Sequence, residues 1–155
     1  DAPADDEFNI KKSSPKEAEI VRQVLLALKK IYGKAFIAEE IGIITPFKAQ
    51  IATIRNALAD DPSLAGIKTD TVERYQGGSK SIIILSMSVG STFTLKQIIN
   101  ENAQGIERKL NVALSRAREQ FICIGDSRIA NTHPSYSALW KVAKQMRFDN
   151  TKLLD

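Results

Sequence analysis

One stretch concentrates the chain's reactive side chains: RKLNVALSRAREQFICIGD, from Arg108 to Asp126. Arg108, Lys109, Arg116 and Arg118 are interleaved with Leu110, Val112, Ala113, Leu114 and Ala117. A basic segment with that much apolar content carries cations on one side and packs on another. Read as a helix over about 105–118, with about 100° per residue, it gathers Leu110, Ala113, Leu114 and Ala117 on one face. Arg116 then shares a second flank with Lys109 and Val112, and Arg118 points elsewhere. The helix feeds an apolar strand, Gln120 to Gly125, that stops at Gly-Asp.

The rest of the chain narrows what such cations can do. There is no G-x-x-x-x-G-K-[ST] to hold a triphosphate and no G-x-G-x-x-G for a dinucleotide. The single histidine, His133, stands beside Pro134 at a predicted helix start, and the single cysteine, Cys123, sits in Phe121-Ile-Cys-Ile. That leaves no ligand set for zinc and no nucleophile-elbow triad. No metal site is expected in the chain itself. By itself it lacks the groups to run a reaction, but it can complete a site shared with another domain.

A length of 155 residues suits one domain with a real core, and 43% hydrophobic with 26% charged residues is a globular balance. The net charge of +4 permits a polyanionic partner without demanding one. The longest apolar runs, such as Ile82 to Leu85, are far too short to span a bilayer, and no signal-peptide pattern opens the chain. One cysteine rules out an internal disulfide and fits an intracellular, reducing setting: cytoplasmic, or nuclear in a eukaryote. The acidic, proline-broken opening from Asp1 to Glu7 reads as a flexible start over 1–12, with a domain over 13–155 cut from a longer protein.

The elements that must position the arginines follow from spacing. Pro15 to Tyr32 is a helix, with Ser13 or Ser14 as cap, Glu17 and Glu19 at its positive end and Gly33 as its stop. Its stripe is Val21, Val24, Leu25, Leu28 and Ile31. Ile41 to Thr45 is a strand, and Pro46 opens a helix striped by Phe47, Ile51, Ile54 and Leu58 and closed by Asp60-Asp-Pro. Ile67 to Val72 and Ser81 to Met87 are further strands, Val89 to Gln104 is a loop, and Pro134 to Arg147 is a last helix. Strands apolar on both faces and separated by helices imply a mainly parallel α/β sheet covered on both sides. Such sheets bind ligands at the carboxyl ends of their strands, here Thr45-Pro-Phe-Lys, Glu73-Arg-Tyr-Gln-Gly-Gly, Ser86 to Ser91 and Asp126-Ser-Arg.

Three of these segments together resemble superfamily 1 helicases. Ile41-Gly-Ile-Ile-Thr-Pro-Phe-Lys-Ala-Gln resembles motif IV, Thr71-Val-Glu-Arg-Tyr-Gln-Gly motif V, and Leu110-Asn-Val-Ala-Leu-Ser-Arg-Ala-Arg motif VI of the branch with the nonsense-mediated-decay, Sen-type and Dna-type helicases. The likeness covers roughly residues 13–127, and motif VI is its most specific part. It implies the second of two RecA-like domains, with a P-loop domain upstream that holds most of the ATP and Mg²⁺. It also implies single-stranded DNA or RNA as partner, in DNA repair or RNA processing.

By that resemblance Arg116 is an arginine finger, a fixed cation brought to the γ-phosphoryl group when the two domains close. Val112 on its flank is then expected to face the other domain. Gln76 and Gly77 correspond to the nucleotide-facing turn, where glycine lets main-chain N–H groups approach phosphate or ribose. Thr45, Pro46, Lys48 and Thr71 correspond to the nucleic-acid track and would read backbone, not bases. Thr45 is equally placed to cap the helix after it. Three positions depart from the pattern: Ser79 and Ser81 stand where acidic residues are usual, and Glu73 replaces an aspartate. The competing expectation is a degenerate RecA-like domain that binds nucleic acid or protein without hydrolysis.

Overall fold

The computed structural model describes residues 14–75, 78–88 and 112–125. Helix α1, Pro15–Tyr32, begins where its composition says it should. Ser14 has extended dihedrals and its hydroxyl accepts from the Glu17 N–H at 3.1 Å, Pro15 occupies the first turn, and Gly33 ends the helix at a φ of +54°. Ala18, Val21, Leu25 and Leu28 form its buried stripe. Ile31, expected to continue that stripe, is 75% exposed, because the core ends at Leu28 and the last turn projects past it.

Two short 3₁₀ turns, Gly33–Ala35 and Ala38–Glu40, lead into strand β1, Ile41–Thr45. Helix α2 is Lys48–Leu58, two residues later than Pro46 suggested. The cause is local: the Thr45 hydroxyl accepts from the Phe47 N–H at 3.4 Å, which holds Pro46 in a turn and leaves Phe47 extended. A one-turn helix α3, Pro62–Ala65, follows, capped by Asp61. Strands β2, Lys68–Thr71, and β3, Lys80–Ser86, are slightly displaced from the expected Ile67–Val72 and Ser81–Met87. Strand β4 is Ala117–Ile124.

The four strands form one parallel sheet in the order β2-β1-β3-β4. Both faces are covered, as strands apolar on both sides require. One face, with Ile41, Ile43, Ile82 and Ile84, packs against α1, α2 and α3. The other, with Ile44, Ile83 and Leu85, packs under Val72, Tyr75, Met87 and Ala113.

The motif VI segment departs from the expected single helix over 105–118. Residues 112–115 are helical, Arg116 lies in a turn, and Ala117 already pairs with Lys80. The Lys80 N–H takes the Arg116 carbonyl at 2.7 Å, so that carbonyl is lost to a continuing helix and strand pairing wins. Ala113 and Leu114 pack on the sheet as expected, whereas Ala117 belongs to the sheet itself. The start over 1–12, the Gln76-Gly77 turn, the loop over 89–104, the first part of the motif VI helix with Arg108 and Lys109, and the final helix with His133 lie outside the described residues.

Candidate functional site

The sheet register assigns the candidate residues to two opposite edges rather than to one. At the carboxyl edge, Thr45 is paired with Thr71, while Ile44 pairs with Leu85, which brings Ser86 into the same row. Pro46 and Lys48 lie just beyond, with Lys48 exposed at the start of α2. That helix has no acidic residue in its first turn and no side-chain cap, so its first N–H groups and the Lys48 ammonium face the edge, beside the Glu17 and Asp70 carboxylates bonded to Ser86 and Thr71. Thr45 and Thr71 are themselves buried, and their hydroxyls are engaged internally: Thr45 accepts from the Phe47 N–H, and Thr71 from the Arg74 N–H at 3.3 Å. The capping role expected for Thr45 is not met: its hydroxyl serves the turn before α2, whose N-cap is Phe47 and carries no side-chain cap bond.

Arg116 stands at the other edge, where β3 and β4 begin, and not among the carboxyl-end loops where the architecture alone suggested a ligand. The chain after Thr71 explains the split. It turns at once, with the Tyr75 N–H bonded to the Thr71 carbonyl at 2.9 Å, and by Lys80 it has reached the amino edge. The connection thus runs across the sheet, and Tyr75 is buried beneath it against Gly42. Gln76 and Gly77 fall outside the described residues, but their neighbour Gly78 has a φ of +70°, a turn conformation that suits glycine.

The two arginines of Ser115-Arg116-Ala117-Arg118 have opposite surroundings. Arg116 is half-buried; its Nε is shielded from solvent, and among the described residues no hydrogen bond or ion pair reaches its guanidinium. Arg118 is the most extensively bonded side chain of the edge. Its Nη1 donates to the Ser79 carbonyl at 2.9 Å and the Ser79 hydroxyl at 3.1 Å, and its Nη2 donates to the Ser81 hydroxyl at 3.1 Å and forms an ion pair with Glu40. The Ser81 hydroxyl in turn donates to the same Glu40 oxygen at 2.6 Å. That hydrogen bond, followed by the Arg118 charge, holds the Glu40 carboxyl below its ordinary range against the opposing effect of desolvation.

Glu40 was not singled out from the sequence, because a carboxylate before an apolar strand carries no periodic or motif signal. Ser79 and Ser81, noted there only as departures, turn out to be ligands of Arg118. Val112, expected to face another domain, is partly covered by this chain's own second core cluster. Burial pushes the Cys123 thiol well above its usual range, in keeping with a packed, unreactive cysteine.

A parallel four-stranded sheet packed against helices defines an α/β domain of the RecA-like class. The family model described as an AAA domain matches residues 3–128, and the chain belongs to that family, which is typical of Upf1-like superfamily 1 helicases. It is similar to the DNA replication ATP-dependent helicase/nuclease DNA2 of Homo sapiens, at 30% identity over 119 residues, covering 76% of this chain and 11% of that protein. The DNA polymerase alpha-associated DNA helicase A of Saccharomyces cerevisiae is 33% identical over 89 residues, 57% of this chain and 12% of the relative. The helicase/nuclease JHS1 of Arabidopsis thaliana is 27% identical over 133 residues, 86% of this chain and 9% of its own. The chain thus spans only 9% to 12% of the length of these relatives. Among the described residues no helix is long and apolar enough to cross a membrane.

Proposed function

We propose that this chain is the second RecA-like domain of an ATP-dependent DNA or RNA helicase or translocase, and that Arg116 is its arginine finger. The observation that carries the reading is the contrast between neighbouring arginines. Arg118 spends its donors within the domain, whereas half-buried Arg116 has, among the described residues, a shielded Nε with no hydrogen-bond partner. A partly desolvated cation with unused donors is costly unless something anionic completes it, and a polyphosphate does so.

Bound ATP with Mg²⁺, held mainly by an upstream RecA-like domain, would supply the phosphoryl group and the metal's charge. This chain's part is to bring a preorganised guanidinium to where negative charge develops, and Gln76 and Gly77, which correspond to the nucleotide-facing turn by the resemblance, would contact the same nucleotide. The opposite edge would carry single-stranded nucleic acid. There Pro46, Lys48 and the open N-terminus of α2 offer the phosphates a surface, while Thr45 and Thr71 shape the turns beneath it. Contacts of this kind read the backbone, so binding should be independent of sequence and weakened by salt.

The test is nucleic-acid-stimulated ATP turnover by the full-length protein, wild type against Arg116→Ala. Loss of a finger arginine is expected to lower kcat by about 10³-fold or more with nucleotide binding largely retained. Unchanged turnover in the variant would remove Arg116 from the catalytic role.

A further inference from the structure

Three strand beginnings meet at the amino edge of the sheet, and a single guanidinium ties them together. Glu40 precedes β1, Ser79 and Ser81 flank the first residue of β3, and Arg118 is the second residue of β4. The contacts close a ring. Arg118 donates to the Ser81 hydroxyl, that hydroxyl donates to Glu40, and Glu40 pairs with Arg118. Lys80, between the two serines, reinforces the same junction: its ammonium donates to the Glu39 carbonyl at 2.7 Å and its N–H to the Arg116 carbonyl at 2.7 Å.

The register shows why Arg118 reaches this ring. Lys80 pairs with Ala117 and Ile82 with Gln120, so β4 takes one residue more than β3 between those pairings. The extra residue is a bulge at Arg118 and Glu119, and bulges re-aim side chains and often flank functional sites. The side chains of Arg118 and Glu40 are 47% and 43% exposed, a setting in which ion pairs add little to stability. Geometry is the more substantial product. A planar fork with five donors fixes orientation in a way that a single ammonium does not.

We propose that Glu40 is a positioning residue for Arg116, acting through Arg118. Among the described residues the shielded Nε of Arg116 has no hydrogen-bond partner, so the backbone of its turn does much to place the side chain. That turn is fixed on one side by the Lys80 N–H and on the other by the Arg118 fork, whose single carboxylate partner among the described residues is Glu40. Without Glu40 the bulge loses its anchor, and the finger is displaced from the phosphoryl group although every catalytic group is still present. Ser79 and Ser81 complete the clamp as neutral ligands, and the carboxylate comes from the segment before β1. The inference rests on Arg116 being the finger.

The experiment uses the full-length protein and measures nucleic-acid-stimulated ATP turnover for Glu40→Gln, Glu40→Asp, Arg118→Lys, the double variant Glu40→Gln/Arg118→Lys, and Arg116→Ala as reference. Misplacing a catalytic group by about 1 Å can cost about 10²-fold, so Glu40→Gln, which keeps one hydrogen bond, is expected to lower kcat by roughly tenfold. KM for ATP and the melting temperature should stay near wild type, Glu40→Asp should recover part of the loss, and the double variant should be no worse than its poorer parent. Full turnover in Glu40→Gln alongside a collapse in Arg116→Ala overturns the positioning role and leaves the finger standing. A loss of kcat that tracks a lower melting temperature and is not recovered by Glu40→Asp overturns it as well, since that is a folding defect. Undiminished turnover in Arg116→Ala removes the finger and this inference with it.

Discussion

Tyr75 heads the fully buried side chains of the described residues by size, yet its hydroxyl has no hydrogen-bond partner. The ring fills the space that Gly42 leaves open in the middle of β1. A Cβ placed at Gly42 would meet the tyrosine Oη at 2.0 Å and Cζ at 2.8 Å, and the Ile83 Cδ1 at 3.0 Å. Lys68 closes over the ring with its ammonium 4.6 Å from the centroid. Overpacking of this kind costs about 1–3 kcal/mol, so Gly42→Ala should lower the denaturant midpoint by that equivalent. Tyr75→Phe removes an orphaned hydroxyl and should leave stability unchanged or raise it by up to about 1 kcal/mol. A Gly42→Ala variant as stable as wild type would mean that the tyrosine is not held there. None of this packing was legible in Glu73-Arg-Tyr-Gln-Gly-Gly. A lone aromatic in a polar run has no period, and its partner is a glycine more than thirty residues earlier.

Between elements, the junction of α1, α2 and β3 is polar where periodicity suggested only apolar contact. Gln50, fully buried on α2, donates to the Ser14 carbonyl at 3.1 Å and the Ser86 hydroxyl at 3.2 Å, and accepts from the Ser14 N–H at 2.6 Å. Glu17, in the first turn of α1, accepts from the Ser86 hydroxyl and the Ser88 N–H, both at 2.8 Å. Truncating Gln50 to Ala strands the Ser14 N–H, takes one of two partners from the Ser14 carbonyl and the Ser86 hydroxyl, and should cost about 1–3 kcal/mol. That should equal or exceed the roughly 1 kcal/mol expected for losing the Ser14 cap through Ser14→Ala. Paired urea titrations decide the order, and a near-neutral Gln50→Ala would show that water replaces the amide. The caps and stripes of α1 and α2 were readable because hydrophobic spacing and terminal residues report directly on helices. Gln50 and Glu17 were not, since a polar residue at a helical position reads as solvent-facing until the strand it bonds to is known. The end of the motif VI helix was misjudged for a related reason. Ala117 and Arg118 favour a helix locally, and only pairing with Lys80 turns them into strand.

At the scale of the whole molecule, the parallel order β2-β1-β3-β4 puts the proposed nucleic-acid edge and the proposed nucleotide edge at opposite ends of the same strands. The parallel sheet and its two covered faces were legible in the apolar strands. The division into two edges was not, because it depends on the course of the chain between Thr71 and Lys80. Charge at the amino edge gives a pH signature. The Glu40 carboxyl titrates below its ordinary value of 4.5, first through the Ser81 hydroxyl and then through Arg118. A carboxyl depressed by folding contributes its stabilisation in full above the unfolded value and loses it as pH falls through the folded one. The carboxyl carbon of Glu40, followed by NMR, should therefore show a midpoint under 4.5 that rises in Ser81→Ala. A midpoint indifferent to Ser81 would break the ring at that link. The fit between β1 and the Tyr75 connection carries a different consequence. Positions 42 and 75 draw on one fixed allotment of space, so drift at either is constrained by the other. Among natural relatives of this domain, a bulkier residue at the first should come with a smaller one at the second, and the two should change as a pair.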